Sequence, residues 1–269
     1  MLASRADSAQ RVSVHSADVS DEAAVRAALG EVEAQHGGVD VLIASAGKAT
    51  PRTLEGSTAA ELGEMFSLNV VGARNAVAAS LPLMRSTGGG RIVLISSQAG
   101  QVGMFGYAQY SATKFALRGL AEALAMELHT RAIRVSVAFP PDTDTPGLAH
   151  ENVGKPELTK RLSGASATVQ PEVVAAAILG GVERWRFFIP VGVDGWLLAT
   201  ATAGMAPAST VAEAAVQVLF AGLARVVALA VVGGFYSTVA SHDASHVGWA
   251  KPAPAAATPA TEGERIKTA

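Results

Sequence analysis

Tyr110 and Lys114 stand four residues apart in YSATK, a spacing that stacks both side chains on one face of a helix. A lysine cation there stabilises a tyrosinate and pulls the phenol down from its ordinary pKa of about 10, so that the tyrosine can exchange a proton nearer neutrality. Alone, the pair reads more simply as a half-buried aromatic beside a solvated amine. Ser97 lies thirteen residues upstream of Tyr110, where an expected strand runs out and can aim a hydroxyl at the same crevice. Asn69 adds an amide in the middle of an apolar helix, a position that needs a hydrogen-bonding reason. Together the four suit reduction of a ketone: hydride adds to carbon, negative charge grows on oxygen, and a positioned acid delivers a proton. Tyr110 is the expected donor and Ser97 the group that holds the carbonyl oxygen. Lys114 is expected to lower the tyrosine pKa and bond a cofactor ribose, and Asn69 to hold a water linking Lys114 to solvent. No metal is required. His242 and His246 are four apart, but no third ligand lies near them in sequence.

Something must bring these groups together, and the hydrophobic pattern supplies alternating strands and helices. Strands are expected at Arg11 to Ala17, Val39 to Ala44, Arg91 to Ser96, Ile133 to Phe139 and Phe187 to Pro190. Val39 to Ala44 shows no alternation, as for a strand covered on both faces. Helices are expected after Ser20, which can cap the first, at Ala59 to Met84, from about Tyr107 to His129, and at Pro171 to Val182. This alternation implies an α/β fold with a doubly wound parallel sheet, whose ligands sit beyond the carboxyl ends of the strands, at Ser45 to Gly47, Ser96 to Gly100 and Pro140 to Pro146. Asp142 to Val169 reads as a lid loop. Gly100, Gly103 and Gly106 imitate a phosphate loop, but they lack the strand-turn-helix spacing and read as a flexible loop beside the substrate. The first ten residues read as the end of a helix.

The 269 residues include no cysteine, which removes thiol-redox and cysteine-nucleophile chemistry. A net charge of -2 without a basic patch argues against nucleic acid as a partner. The mean hydropathy of +0.30 is high for a soluble enzyme and points to contact with lipid. Ala214 to Tyr236 could span a hydrocarbon core, but Arg225 falls at its middle and shares a stripe with Glu213 and Gln217, which favours an amphipathic helix lying at the membrane surface or packing on the catalytic domain. Packing of that helix in a homo-oligomer is the alternative. Residues 1–192 then form a catalytic domain, 193–240 hydrophobic, membrane-associated helices, and 241–269 a Pro/Ala-rich disordered tail.

The stretches SSQAGQVGMFGYAQYSATKFALRGLAEALAMEL, PPDTDTPG and GMAP carry a resemblance, from about Asp18 to His242, to the Rossmann-type short-chain dehydrogenase/reductase family, in its branch acting on sphingoid-base ketones. The resemblance implies NADPH as cofactor and a long-chain keto-lipid as substrate, with a steroid or retinoid ketone as the alternative. It also implies an enzyme on the endoplasmic reticulum membrane with its site facing the cytosol. It places Asp18 at the adenine and Ser45, Ala46 and Gly47 along the cofactor. Pro140 stands in the cofactor-side loop, and Thr145 meets the nicotinamide amide. The family's TGxxxGxG turn does not precede Asp18: only seventeen residues do, and a strand, helix and strand need about 30. An amino-terminally incomplete sheet is therefore expected, with a noncatalytic lipid-binding relative as the rival reading.

Overall fold

The computed structural model describes residues 11–164 and 168–245. The expected helix end at residues 1–10, His246 and most of the expected tail lie outside the described residues.

Four parallel strands form the sheet, in the order β1 (Val41–Ala44), β2 (Gly90–Ile95), β3 (Ile133–Phe139) and β4 (Phe188–Pro190). The expectation for Arg11 to Ala17 is corrected: no strand forms there. The segment still alternates, but Val12 and Val14 point outward while Ser13 and His15 turn towards α1 (Glu22–His36). There Ser13 Oγ meets His36 Nε2 at 3.0 Å and His15 Nδ1 meets Glu31 at 2.6 Å. Alternation makes a strand only where a neighbour accepts its ladder bonds, and the partner here is a helix. The cap is corrected too: Asp21, not Ser20, accepts from the backbone N–H groups of Ala23 and Ala24. Ser20 instead gives both its N–H and its hydroxyl to Asp18 Oδ1.

The long expected helix is interrupted. Thr58 and Glu61 form a capping box that starts α2 (Ala59–Phe66), a π-helical turn occupies Ser67–Val71, and α3 (Gly72–Ser86) comes next. Such turns insert an extra residue and rotate the helix beyond them, and they concentrate at functional sites. The next helix, α4 (Ala108–Glu127), packs with α3 on one sheet face, burying Ile92, Leu94, Val135 and Val137 against Val77, Leu117 and Ala121. On the other face α7 (Pro171–Glu183) covers Val93, Ala138 and Ile189 through Val174, Ile178 and Val182. That cover does not reach β1, where Val41 and Ile43 remain 43% and 39% exposed. Among the described residues the strand is thus covered on one face only, against expectation, because α7 packs over β2 to β4.

The expected lid loop contains two short helices, α5 (Pro146–Glu151) and α6 (Glu157–Ser163), tied at its ends by a parallel bridge between Thr143 and Val169. Beyond β4 come α8 (Gly192–Ala201) and α9 (Val211–Ser245). By length and composition Val211–His242 could cross a membrane. Its less exposed positions, among them Gln217, Ala224, Ala228, Val232 and Phe235, recur at helical spacing towards the protein.

Candidate active site

The carboxyl ends of β1, β2 and β3 open onto one cavity of about 1420 Å³, larger than most small-molecule sites. Ser97, Tyr110 and Lys114 all line it, as do Ser45, Gly47, Pro140 and Thr145. Ala46 and Asp18 are not among the lining residues. Asp18 is exposed, and the Ser20 hydrogen bonds hold its carboxyl below the usual value.

Asn69 sits in the π-helical turn, 1% exposed. Its Oδ1 accepts from the Lys48 N–H at 2.9 Å, while Nδ2 donates to Lys48 O at 2.9 Å and to Thr113 Oγ1 at 3.0 Å. The amide therefore clamps the loop after β1 to α4. Gly47 rests in that clamp: a Cβ there would lie 3.1 Å from Asn69 Oδ1 and 3.5 Å from Lys114 Nζ. Thr145 caps α5, accepting from the Leu148 N–H at 3.2 Å and donating to Thr143 O at 3.2 Å.

Ser97 comes directly after β2 and its bridging Ser96, and it caps the 3₁₀ turn Gln98–Gly100 by accepting from the Ala99 N–H at 3.1 Å. Gly100 lets that turn press on α4, since a Cβ would strike Ser96 Oγ and come 2.8 Å from Lys114 O. Gly106 (φ 78°) has no room for a Cβ either, because Thr159 on α6 occupies the space. Two of the three glycines thus serve close packing: Gly100 fixes the loop carrying Ser97 against the helix carrying Tyr110, and Gly106 fixes that loop against α6.

The electrostatics depart from the sequence expectation. Lys114 is buried, and desolvation pulls its ammonium down to about 8. Its Nζ lies 5.5 Å from the Tyr110 ring centroid and donates to Ile95 O at 2.9 Å. Tyr110 is not lowered towards neutrality. Protein surrounds its hydroxyl and raises the phenol well above its ordinary value, with the Glu151 and Asp142 carboxylates adding to the rise and the Ser97 hydroxyl opposing it. Tyr110 is therefore protonated at rest, as an acid must be.

Several groups on this cavity carried no sequence signal. Tyr107 stacks at a tilt on Tyr110, ring centroids 5.6 Å apart, and its hydroxyl donates to Glu151. Burial and that carboxylate raise the Tyr107 phenol. Lys155 reaches Glu151 at 3.4 Å and Asp142 at 3.7 Å. Gln101 donates through Nε2 to Thr202 Oγ1 at 3.2 Å, and Thr202 gives its own proton to Leu198 O at 2.8 Å. The amide orientation is thereby set, and Gln101 Oε1 is buried without a partner among the described residues. Of the sequence signals, only Tyr107's place within the motif could have drawn attention to this group.

The far wall of the cavity belongs to α9. Ala224, Arg225, Ala228, Val231, Val232 and Phe235 line it, so Arg225 faces the catalytic space at its rim. Val218, Leu219, Val226 and Leu229 are bare on the helix's outer side. Among the described residues no cluster of three or more His, Asp or Glu side chains could hold a metal.

A parallel sheet that ends on a serine, with a tyrosine and a lysine on one helix lining the same cavity, defines an oxidoreductase class. The short chain dehydrogenase family model matches residues 2–155, and the chain belongs to that family. In sequence it is 40% identical over 225 residues to the 3-ketodihydrosphingosine reductase of Bos taurus, a match covering 83% of this chain and 68% of the relative. Among solved structures, a short-chain dehydrogenase from Streptomyces avermitilis matches with a TM-score of 0.60 and 29% identity, covering 78% of each chain. A gluconate 5-dehydrogenase from Burkholderia cenocepacia, solved with NADP and tartrate, matches with a TM-score of 0.55 and 26% identity, over 61% of this chain and 65% of that one.

The residues present fit the nicotinamide and ribose half of such a cofactor. Of the three N–H donors on buried Lys114, one meets a protein acceptor among the described residues, leaving two for ribose hydroxyls. Gly47 provides the side-chain-free approach beside it.

Proposed function

We propose that this protein reduces the ketone of 3-ketodihydrosphingosine to the alcohol with NADPH, at the surface of the endoplasmic reticulum membrane and with its site facing the cytosol. The observation that carries the reading is the shared cavity, lined by Ser97 and Tyr110 and also by an apolar face of α9. An alkyl tail suits that face, and a polar head suits the end of the sheet. Similarity to the bovine reductase supports the substrate, and the NADP held by the gluconate dehydrogenase supports the cofactor. The 1–192 segment carries the reacting groups, and the 193–240 segment shapes the lipid end of the cavity.

The bound nicotinamide supplies the hydride. Ser97 and Tyr110 orient the ketone by hydrogen bonds to its oxygen, and both strengthen as negative charge grows there. Tyr110 then gives its proton to that oxygen. Lys114, with its pKa near 8, holds ribose hydroxyls, and its charge steadies the tyrosinate left behind. Asn69 keeps the loop after β1 in place, so that Gly47 and Lys114 face the same space.

The test is consumption of NADPH by the purified protein with 3-ketodihydrosphingosine in mixed micelles, the alcohol product being identified by mass. Ketone-dependent turnover that prefers NADPH to NADH is expected. No turnover of this ketone alongside reduction of a steroid or retinoid ketone would overturn the substrate assignment.

A further inference from the structure

We propose that Glu151, with Asp142 beside it, recognises a protonated amine on the carbon next to the substrate ketone. The inference rests on the reading of the chain as a reductase of an amino ketone. Glu151 ends α5 and lines the same cavity as Ser97 and Tyr110. Tyr107 joins the two groups, donating to Glu151 while its ring lies against that of Tyr110. A ketone whose oxygen is held by Tyr110 thus lies in the same cavity as Glu151, next to the tyrosine that bonds that carboxylate.

Within the cluster of Glu151, Asp142 and Lys155, charge counting leaves one carboxylate without a cation. Lys155, 4% exposed, is shared between Glu151 and Asp142 at 3.4 and 3.7 Å. One ammonium against two carboxylates leaves one negative charge in a wall partly withdrawn from water, where charge is costly unless paired. Of the other cations on the wall, Lys48 and Arg52 are paired elsewhere, while Lys114 and Arg225 have no ion pair among the described residues. Lys48 pairs with Glu64 at 2.9 Å, Arg52 with Glu61 at 3.4 Å, and Lys114 donates to Ile95 O. Arg225 stands on α9, and His150 and Asp194 also line the cavity. The uncompensated charge is felt at Tyr110, since both carboxylates raise its phenol. A ligand ammonium completes the pairing and relieves that field when the ketone arrives, which eases proton transfer from Tyr110. Gln101, 6% exposed, lines the same cavity, and its buried Oε1 has no donor among the described residues.

The experiment compares equilibrium binding of sphinganine, which carries the amine, with that of the matched long-chain diol lacking it, both in neutral micelles at neutral pH and with the full chain. A charged hydrogen bond predicts that the wild type binds the amine about tenfold or more tightly. Glu151→Gln should collapse that preference to less than about threefold, whereas Glu157→Gln, an exposed control, should keep it. Tyr107→Phe removes the donor competing for Glu151 and should keep or widen the preference, which tests the idea even if Glu151→Gln fails to fold. Equal binding of amine and diol by the wild type, an undiminished preference in Glu151→Gln, or a preference lost in Tyr107→Phe would overturn it. Because binding is read without turnover, amine preference with no ketone reduction would refute the proposed activity alone. Reduction without amine preference would refute this inference alone.

Discussion

Tyr110 and Lys114 divide the acid chemistry differently from what their spacing suggests. The ammonium sits near the ring, yet desolvation acts on both groups and drives the phenol up and the amine down. Tyr110→Phe removes the one transferable proton while keeping the ring, so ketone reduction should fall by at least about a hundredfold with NADPH binding little changed. Steady-state rates and a cofactor titration on the same sample check this. Lys114 makes a pH prediction with two opposite signs. As pH rises through about 8, loss of the ammonium should lower kcat/KM on the alkaline side. Stability should move the other way, because the folded state sheds this proton before the unfolded chain does. The unfolded chain binds more protons between about pH 8 and 10, so unfolding free energy should rise there by on the order of 2–3 kcal/mol from this group. Urea melts across that range should show the rise, and Lys114→Met should flatten it. The meeting of Ser97, Tyr110 and Lys114 on one cavity was legible because their spacing ties them to a helix face and a strand end. The Glu151, Asp142 and Lys155 cluster was not, since a loop that folds into two helices brings it to Tyr107, 44 residues away from Glu151.

At the level of elements, strands β2 to β4 lay close to their hydrophobic runs because burial on both faces leaves a mostly apolar signature. The same signature at β1 was incomplete information: it shows that a segment is apolar, and not which helix will cover it. The π-helical turn was hidden for a related reason. Apolar periodicity runs through Ser67–Val71 almost undisturbed, while the extra residue is demanded by Asn69 reaching Lys48 and Thr113. The glycines misled in one respect, as Gly100 and Gly106 mark contact between elements rather than mobility of a loop. Helix α9 carries its own prediction. Ala228 is on the cavity wall, and Ala228→Trp should fill the space proposed for the alkyl tail. The expected result is a KM raised about tenfold or more for the long-chain ketone, with a short-chain analogue reduced almost as before. Equal losses on both would show that the tail lies elsewhere.

For the molecule as a whole, high hydropathy is concentrated where α9 leaves Val218 and Leu219 79% and 77% exposed. Full burial of such side chains contributes roughly 1.5–3 kcal/mol each, enough for a shallow membrane contact. Replacing both with glutamate should lower the vesicle-bound fraction severalfold in a flotation assay without changing the circular dichroism of the fold. An unchanged fraction would place the contact on another surface. One helix that walls the catalytic space and also bares an apolar side has a kinetic consequence. A tail that passes from bilayer to cavity along α9 never enters bulk water, so the concentration that governs encounter is two-dimensional. The rate should then track the mole fraction of ketone among the lipids and be insensitive to the total volume of buffer. Diluting the ketone with inert phospholipid at constant bulk amount should slow the enzyme, whereas diluting the whole vesicle suspension should leave the turnover of each bound enzyme unchanged.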